Sequence, residues 1–452
     1  MNTLRRSLKL TFVTSLLAVS AFAVDGVVQR AADHARAHPA GDAPASFAAA
    51  DFQGDLRDLP IGVFDSGVGG LTVFEAIKNF DAHNNVTGAP GADGVPDFVN
   101  ERFVYLGDQA NMPYGNYPSV QKTDFLRELI LKDAAFLLGR RYWRAPGAAA
   151  PVLDKPAVKA IVIACNTATA YGLDDIRAAV KAWGLPLIVV GVVEAGARGF
   201  AETRGDADGS IAVFATVATC ASKAYPTAIS RVMADKTPAV WQRGSVSLAA
   251  AIEGDPSVKQ TIPEIIDYEV RELLDEQLKA GAETAALDSV MLGCTHYPLV
   301  EREIVDALAK WRDYTAADGS RPYASLVTSG KIHVVDPAKW TAQDLYRSLA
   351  QAKLLRPSSG TQAAGGDQFY ISVANPNWPG VKLDAEGGLD RPYKYGRSAG
   401  DLNREDTIVV PLTPDRLPAS SRKLVSERLP ATWASLTAAA KTLGAAAATA
   451  SR

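Results

Sequence analysis

Apolar positions fall in short β-branched runs that end in small or polar residues, and between the runs they recur at helical spacing. Strands are predicted over 61–65, 103–108, 158–164, 187–193, 211–215, 289–292 and 332–335. Helices are predicted over 71–80, 121–140, 168–183, 258–280, 299–310 and 341–354. The runs are apolar on both faces and alternate with helices, which reads as an α/β architecture built on parallel sheets. Two runs echo each other: Ile161-Val162-Ile163-Ala164-Cys165-Asn166-Thr167-Ala168 and Val290-Met291-Leu292-Gly293-Cys294-Thr295-His296-Tyr297. Each puts a thiol and hydrogen-bonding side chains where a strand should end, the place where open parallel sheets take ligands. The echo suggests two related halves facing one cleft.

Other stretches carry weaker patterns. Residues 24–58 are Ala-, Asp- and Gly-rich and read as a leader or a capping helix without chemistry. Residues 81–100 hold Asn, Gly, Pro and Asp in quick succession, a surface loop. Their oxygens could hold calcium, although the spacing is not that of an EF-hand. Beyond residue 355 the chain reads as looser, with a last strand over 369–373, a short one over 407–410 and helix over 419–443.

Composition narrows the class. The chain has 452 residues, with 47% hydrophobic and 21% charged, enough for more than one packed core and unlike a disordered protein. A net charge of -3 and no basic patch exclude nucleic acid as an expected partner. The first residues differ from the rest. Arg5, Arg6 and Lys9 precede an apolar run over 10–18 and an Ala21-Phe22-Ala23 ending, the three regions of a secretory signal peptide. Cleavage after Ala23 would leave an exported chain, periplasmic or secreted, with no membrane span; an amphipathic N-terminal helix on a cytoplasmic chain is the alternative. The three cysteines, Cys165, Cys220 and Cys294, are too few for a disulfide-stapled fold. Exported thiols also face a compartment that favours their oxidation.

Several segments together resemble one family. They are Phe64-Asp65-Ser66-Gly67-Val68-Gly69-Gly70-Leu71, Gly107-Asp108 with Pro113-Tyr114-Gly115, Ala164-Cys165-Asn166-Thr167-Ala168, Gly191-Val192-Val193-Glu194, and Leu292-Gly293-Cys294-Thr295-His296-Tyr297-Pro298-Leu299. In this order they resemble glutamate racemase, of the cofactor-independent aspartate/glutamate racemase superfamily. The likeness runs over about 60–354. It implies two similar parallel-sheet, flavodoxin-like halves facing a shared cleft, with a C-terminal extension. The corresponding division is a signal peptide over 1–23, a leader over 24–59, a first half over 60–164, a second half over 165–300, a return to the first half over 301–354, and an extension over 355–452. The resemblance also implies no cofactor, no metal and an amino-acid substrate that supplies cell-wall precursors, and it leaves a homodimer open.

The expected site follows from the matched positions. The resemblance implies Cys165 and Cys294 as the two acid–base groups, assisted by Asp65 and His296. It assigns Asp65, Ser66, Tyr114, Gly115, Asn166, Thr167, Thr295 and His296 to substrate binding; Glu253 matches a further assisting acid less closely. The chemistry agrees. Racemisation removes the Cα proton from one face and returns one to the other, so two groups should flank the carbon. A thiol near a helix N-terminus has its pKa lowered toward the useful range. Aspartate or another substrate, and a non-catalytic binding role in the cell envelope, are the alternatives. Zinc at Cys165, Cys294 and His296 is disfavoured, since no closely spaced ligand pair is present.

Overall fold

The computed structural model describes residues 26–205, 208–255, 257–281, 285–357 and 366–450. The expected signal peptide lies outside the described residues. The strands are β1 (Ile61–Asp65), β2 (Phe103–Gly107), β3 (Ala160–Ile163), β4 (Ile188–Gly191), β5 (Ser210–Thr216), β6 (Val240–Ser245), β7 (Leu287–Gly293), β8 (His333–Val335), β9 (Gln368–Ala374) and β10 (Thr407–Pro411). The helices of the first part are α1 (Gly26–Ala37), α2 (Leu71–Lys78), α3 (Asn116–Ser119), α4 (Thr123–Leu138), α5 (Asn166–Trp183) and α6 (Val192–Arg204). They are followed by α7 (Val217–Ala221), α8 (Ala224–Met233), α9 (Leu248–Glu253), α10 (Ile262–Ala280), α11 (Glu301–Arg312) and α12 (Pro337–Gln351). The last three are α13 (Arg391–Gly396), α14 (Ala419–Arg428) and α15 (Pro430–Ala450).

Two sheets share this chain. One has the order β10-β9-β2-β1-β3-β4 and the other β6-β5-β7-β8. Every pairing is parallel except β9 with β10. The alternation of side chains along each strand builds three cores. On β1, Ile61 and Val63 face a central core with α2, α6, α8 and α12, which the second sheet closes through Ile211, Val213 and Met291. Phe64, with Val104 and Ile161, faces the outer layer of α1, α4 and α5. On the second sheet, Ala212, Phe214 and Val290 face α10 and α11. The two sheets therefore enclose a shared helical layer, and their strand ends meet across it.

Several boundaries differ from expectation. Val192 and Val193, expected in a strand, open α6, because β4 stops at Gly191. β4, expected in the second half, pairs with β3 in the first sheet, and β8, expected to have returned, pairs with β7 in the second. The return to the first half is made instead by α12, whose Ala342 and Leu345 lie in the central core. Of the two readings of 24–58, the capping helix is the one found: α1 buries Val27, Val28, Ala31 and Ala35 against α4 and α5. The tail is tighter than its composition suggests. β9 pairs with β2, and Phe369 and Ile371 enter the central core.

Candidate active site

The first half brings Asp65 and Cys165 together. β1 ends at Asp65, and the glycine-rich turn wraps back on its carboxylate: Oδ2 accepts from Gly70 N at 2.8 Å and Gly67 N at 3.2 Å. Asp65 Oδ1 is buried with no hydrogen-bond partner among the described residues. Between β3 and α5, Cys165 forms the helix cap, and its sulfur accepts from Ala168 N at 3.4 Å. The same sulfur lies 3.6 Å from Ser66 Oγ. Burial raises the pKa of Asp65, against the Gly70 bond and the charge of His296. Burial, and then the Asp65 carboxylate, push Cys165 well above the usual thiol range. The helix terminus acts in the expected direction through Ala168, but burial outweighs it.

The second half brings Cys294, His296 and Glu253 into a line. Cys294 follows β7 directly, and its Sγ is 3.7 Å from His296 Nδ1. The other ring nitrogen, Nε2, is 2.8 Å from Glu253 Oε1 at the end of α9. Burial opposes a charged imidazole here, yet the hydrogen bonds to Cys294 and Glu253 outweigh it and hold the His296 pKa well above its ordinary value. A ring bonded on both sides fixes its own orientation. Thr295 Oγ1 lies 3.4 Å from Nδ1.

The halves touch at these residues. A Cβ on Gly69 would sit 2.6 Å from Thr295 Oγ1 and closer still to the His296 ring, so only glycine lets this turn approach. Asn166 Oδ1 accepts from Tyr225 OH on α8 at 2.6 Å. Thr167 Oγ1 is 3.2 Å from both Thr216 and Thr219, which are 2.9 Å from each other. A Cβ on Gly115 would point at Ala218 and Thr216, at 3.6 and 4.0 Å. Tyr114 behaves differently from its neighbour. Its side chain turns into the core, and its hydroxyl lies 2.6 Å from both Asp108 and Asp133. Of that pair, Gly115 faces the strand ends and the Tyr114 ring does not.

Tyr225 on α8 and Glu253 at the end of α9 lie away from the strand ends, and no local sequence pattern marks either. All three cysteines are free. Cys220 is half-buried against the central core. Among the described residues no three His, Cys, Asp or Glu side chains group as a metal site, and no helix is long and apolar enough to cross a membrane.

Thiols beside a carboxyl and an imidazole thus stand at parallel-strand ends of both sheets. Residues 140–345 match the family described as Asp/Glu/Hydantoin racemase. A glutamate racemase from Limosilactobacillus fermentum is 31% identical over 288 residues, 64% of this chain and 82% of that protein. One from Sulfurihydrogenibium is 32% identical over 246 residues, 54% of this chain and 74% of that protein. Glutamate racemase isoform RacE1 from Bacillus anthracis superposes with a TM-score of 0.47 at 24% identity, over 69% of this chain and 86% of that one. The chain belongs to the aspartate/glutamate racemase family, whose members here are cofactor-independent isomerases. Within that family it is a glutamate racemase-like amino-acid racemase.

Proposed function

We propose that the chain is an exported racemase that interconverts L- and D-glutamate with Cys165 and Cys294. One sulfur, as thiolate, takes the Cα proton, and the other, as thiol, delivers its proton to the opposite face. The Cα–H bond lost on one side is replaced on the other, so no redox partner is needed. The roles of the sulfurs reverse with the enantiomer bound, and the exchanged protons return through solvent. The observation that carries this reading is the placement of one thiol at the end of β3 and one at the end of β7, each beside its own proton-carrying partner. Asp65 serves Cys165, and His296, oriented by Glu253, serves Cys294.

Ser66, Gly115, Asn166, Thr167 and Thr295 supply hydroxyls, an amide and backbone groups for the substrate carboxylates, and Tyr114 contributes through its backbone. Developing negative charge at Cα is met by these fixed donors, of which Asn166, Thr167 and Thr295 are buried and Ser66 and Gly115 half-buried. Export rests on the basic, apolar and Ala-x-Ala pattern of residues 1–23.

Deuterium uptake at Cα of D- and L-glutamate tests the reaction, with Cys165→Ala and Cys294→Ala as controls. Both variants are expected to lose turnover in both directions. Exchange of aspartate without glutamate would overturn the substrate, and full activity of either variant would overturn the two-thiol mechanism. Detection of the intact N-terminus in the cytoplasmic fraction alone would overturn export.

A further inference from the structure

The extension beyond residue 355 grips one loop of the site, residues 108–117, from three directions. Arg397 is buried, and its Nη2 donates to Asn111 Oδ1 at 2.6 Å and Tyr117 OH at 3.2 Å. Nη1 donates to both oxygens of Asp406, at 3.2 and 3.3 Å, and the guanidinium lies 4.9 Å from the centre of the Phe125 ring. Lys394 Nζ donates to the Met112 carbonyl at 2.9 Å. On β9, Ser372 Oγ donates to Asp108 Oδ1 at 2.6 Å and accepts from Ala110 N at 2.9 Å.

These contacts do more than cover a surface. A buried guanidinium is costly unless its donors are satisfied, and here two of its partners belong to the loop. Asp108, held by Ser372, in turn holds the Tyr114 hydroxyl. The next residue, Gly115, faces Thr216 and Ala218 of the second half. Thr216 meets Thr167 beside Cys165. A continuous path of hydrogen bonds and packing therefore runs from the extension to the strand ends.

We propose that the C-terminal extension is a clamp for the substrate loop, with Arg397 the positioning residue that acts through Asn111 and Tyr117. This rests on the racemase reading above, in which the Tyr114–Gly115 backbone meets the substrate. The clamp sets how the loop is held for binding and touches no reacting atom.

The test uses the full chain with Arg397→Gln, Arg397→Lys and Ser372→Ala. Arg416→Gln, in the same extension but bonded to the Pro411 carbonyl, is the control. Hydrogen exchange of the amides of 109–117, read without substrate, should quicken by about tenfold or more in Arg397→Gln and Ser372→Ala while β1 and β3 stay protected. In glutamate kinetics, KM should rise by about tenfold with kcat changed by less than about twofold, the mark of lost binding rather than lost chemistry. Arg397→Lys should recover part of the KM, and Arg416→Gln should match the wild type. Loop exchange unchanged in Ser372→Ala and in folded Arg397→Gln would overturn the clamp. So would unchanged KM in an enzyme that racemises glutamate. A wild type that exchanges no Cα proton would sink the racemase reading instead, and loop exchange would still decide the clamp.

Discussion

Thr72 Oγ1 donates a hydrogen bond to the Thr295 carbonyl at 2.8 Å and joins the first turn of α2 to the end of β7. The same hydroxyl lies 3.0 Å from the Gly69 carbonyl, so one side chain ties the glycine turn to the segment that carries Cys294 and His296. Thr72→Val keeps the shape and removes the donor. The buried carbonyl would lose this partner, which should cost about 1–2 kcal/mol in urea unfolding. Turnover of glutamate should fall with it, since the Thr295-His296 segment loses its anchor to the first half.

Glu253→Gln should act on the pH dependence more than on the fold. His296 is held charged above its ordinary pKa of 6.5 by Cys294 and Glu253, against the effect of burial. A folded pKa above the unfolded one means the stabilisation is complete below about pH 6.5 and is lost as pH rises through the folded value. Removing the Glu253 charge should move that loss to lower pH. In the rate profile the limb assigned to His296 should shift the same way, with kcat lower by about tenfold or more.

A proton count governs Asp133. The Tyr114 hydroxyl has one hydrogen, yet it lies 2.6 Å from an oxygen of Asp108 and one of Asp133. One contact therefore needs a protonated carboxyl. Asp108 already accepts from Asn111 and Ser372, which marks it as the anion. Burial, and then the Asp108 charge, raise the Asp133 pKa well above its ordinary 3.8. The stability it contributes is present below about pH 4 and falls as pH rises toward the folded pKa. Asp133→Asn keeps a donor for Tyr114 without that penalty. Its melting temperature should match or exceed the wild type at about pH 8, and the wild type should gain on it toward about pH 4.

Lys155 gives the opposite slope. Its ammonium is buried, donates to the Leu137 and Pro156 carbonyls, and has its pKa lowered to about 7 by burial. The unfolded chain holds that proton up to about pH 10.5, so stability rises with pH between the two values. Lys155→Met should stabilise the protein by about 1–4 kcal/mol near pH 6. Denaturant midpoints should show the gain shrinking toward about pH 10.

What the sequence could disclose follows from where each residue sits. Cys165 and Cys294 were legible because a strand end followed by polar side chains is a local pattern. Asp65 and the glycine turn were legible for the same reason. Glu253 stands on a six-residue helix, and its partner is 43 residues away, a relation with no local period. The strand Val240-Trp241-Gln242-Arg243-Gly244-Ser245 passed unseen because it is an edge strand, half-exposed along most of its length and broken by a glycine. Tyr114 matched the family motif, but the direction of its ring is set by two buried carboxyls that no motif contains. The sheet to which β4 and β8 belong is not written locally, because parallel pairing depends on crossovers, not on neighbouring residues.

The pairing of β9 with β2 has a practical corollary for shortening the chain. Similarity to relatives invites a cut soon after α12, since the matched family region ends at residue 345. Such a cut would strip two strands from the sheet and leave the backbone of β2 with a row of open donors and acceptors. An apolar strand bared in this way is a template for pairing with other copies. The truncated protein should therefore precipitate rather than report on a minimal enzyme. The working boundary of this racemase is drawn by hydrogen bonds, beyond residue 345 where the matched family region ends.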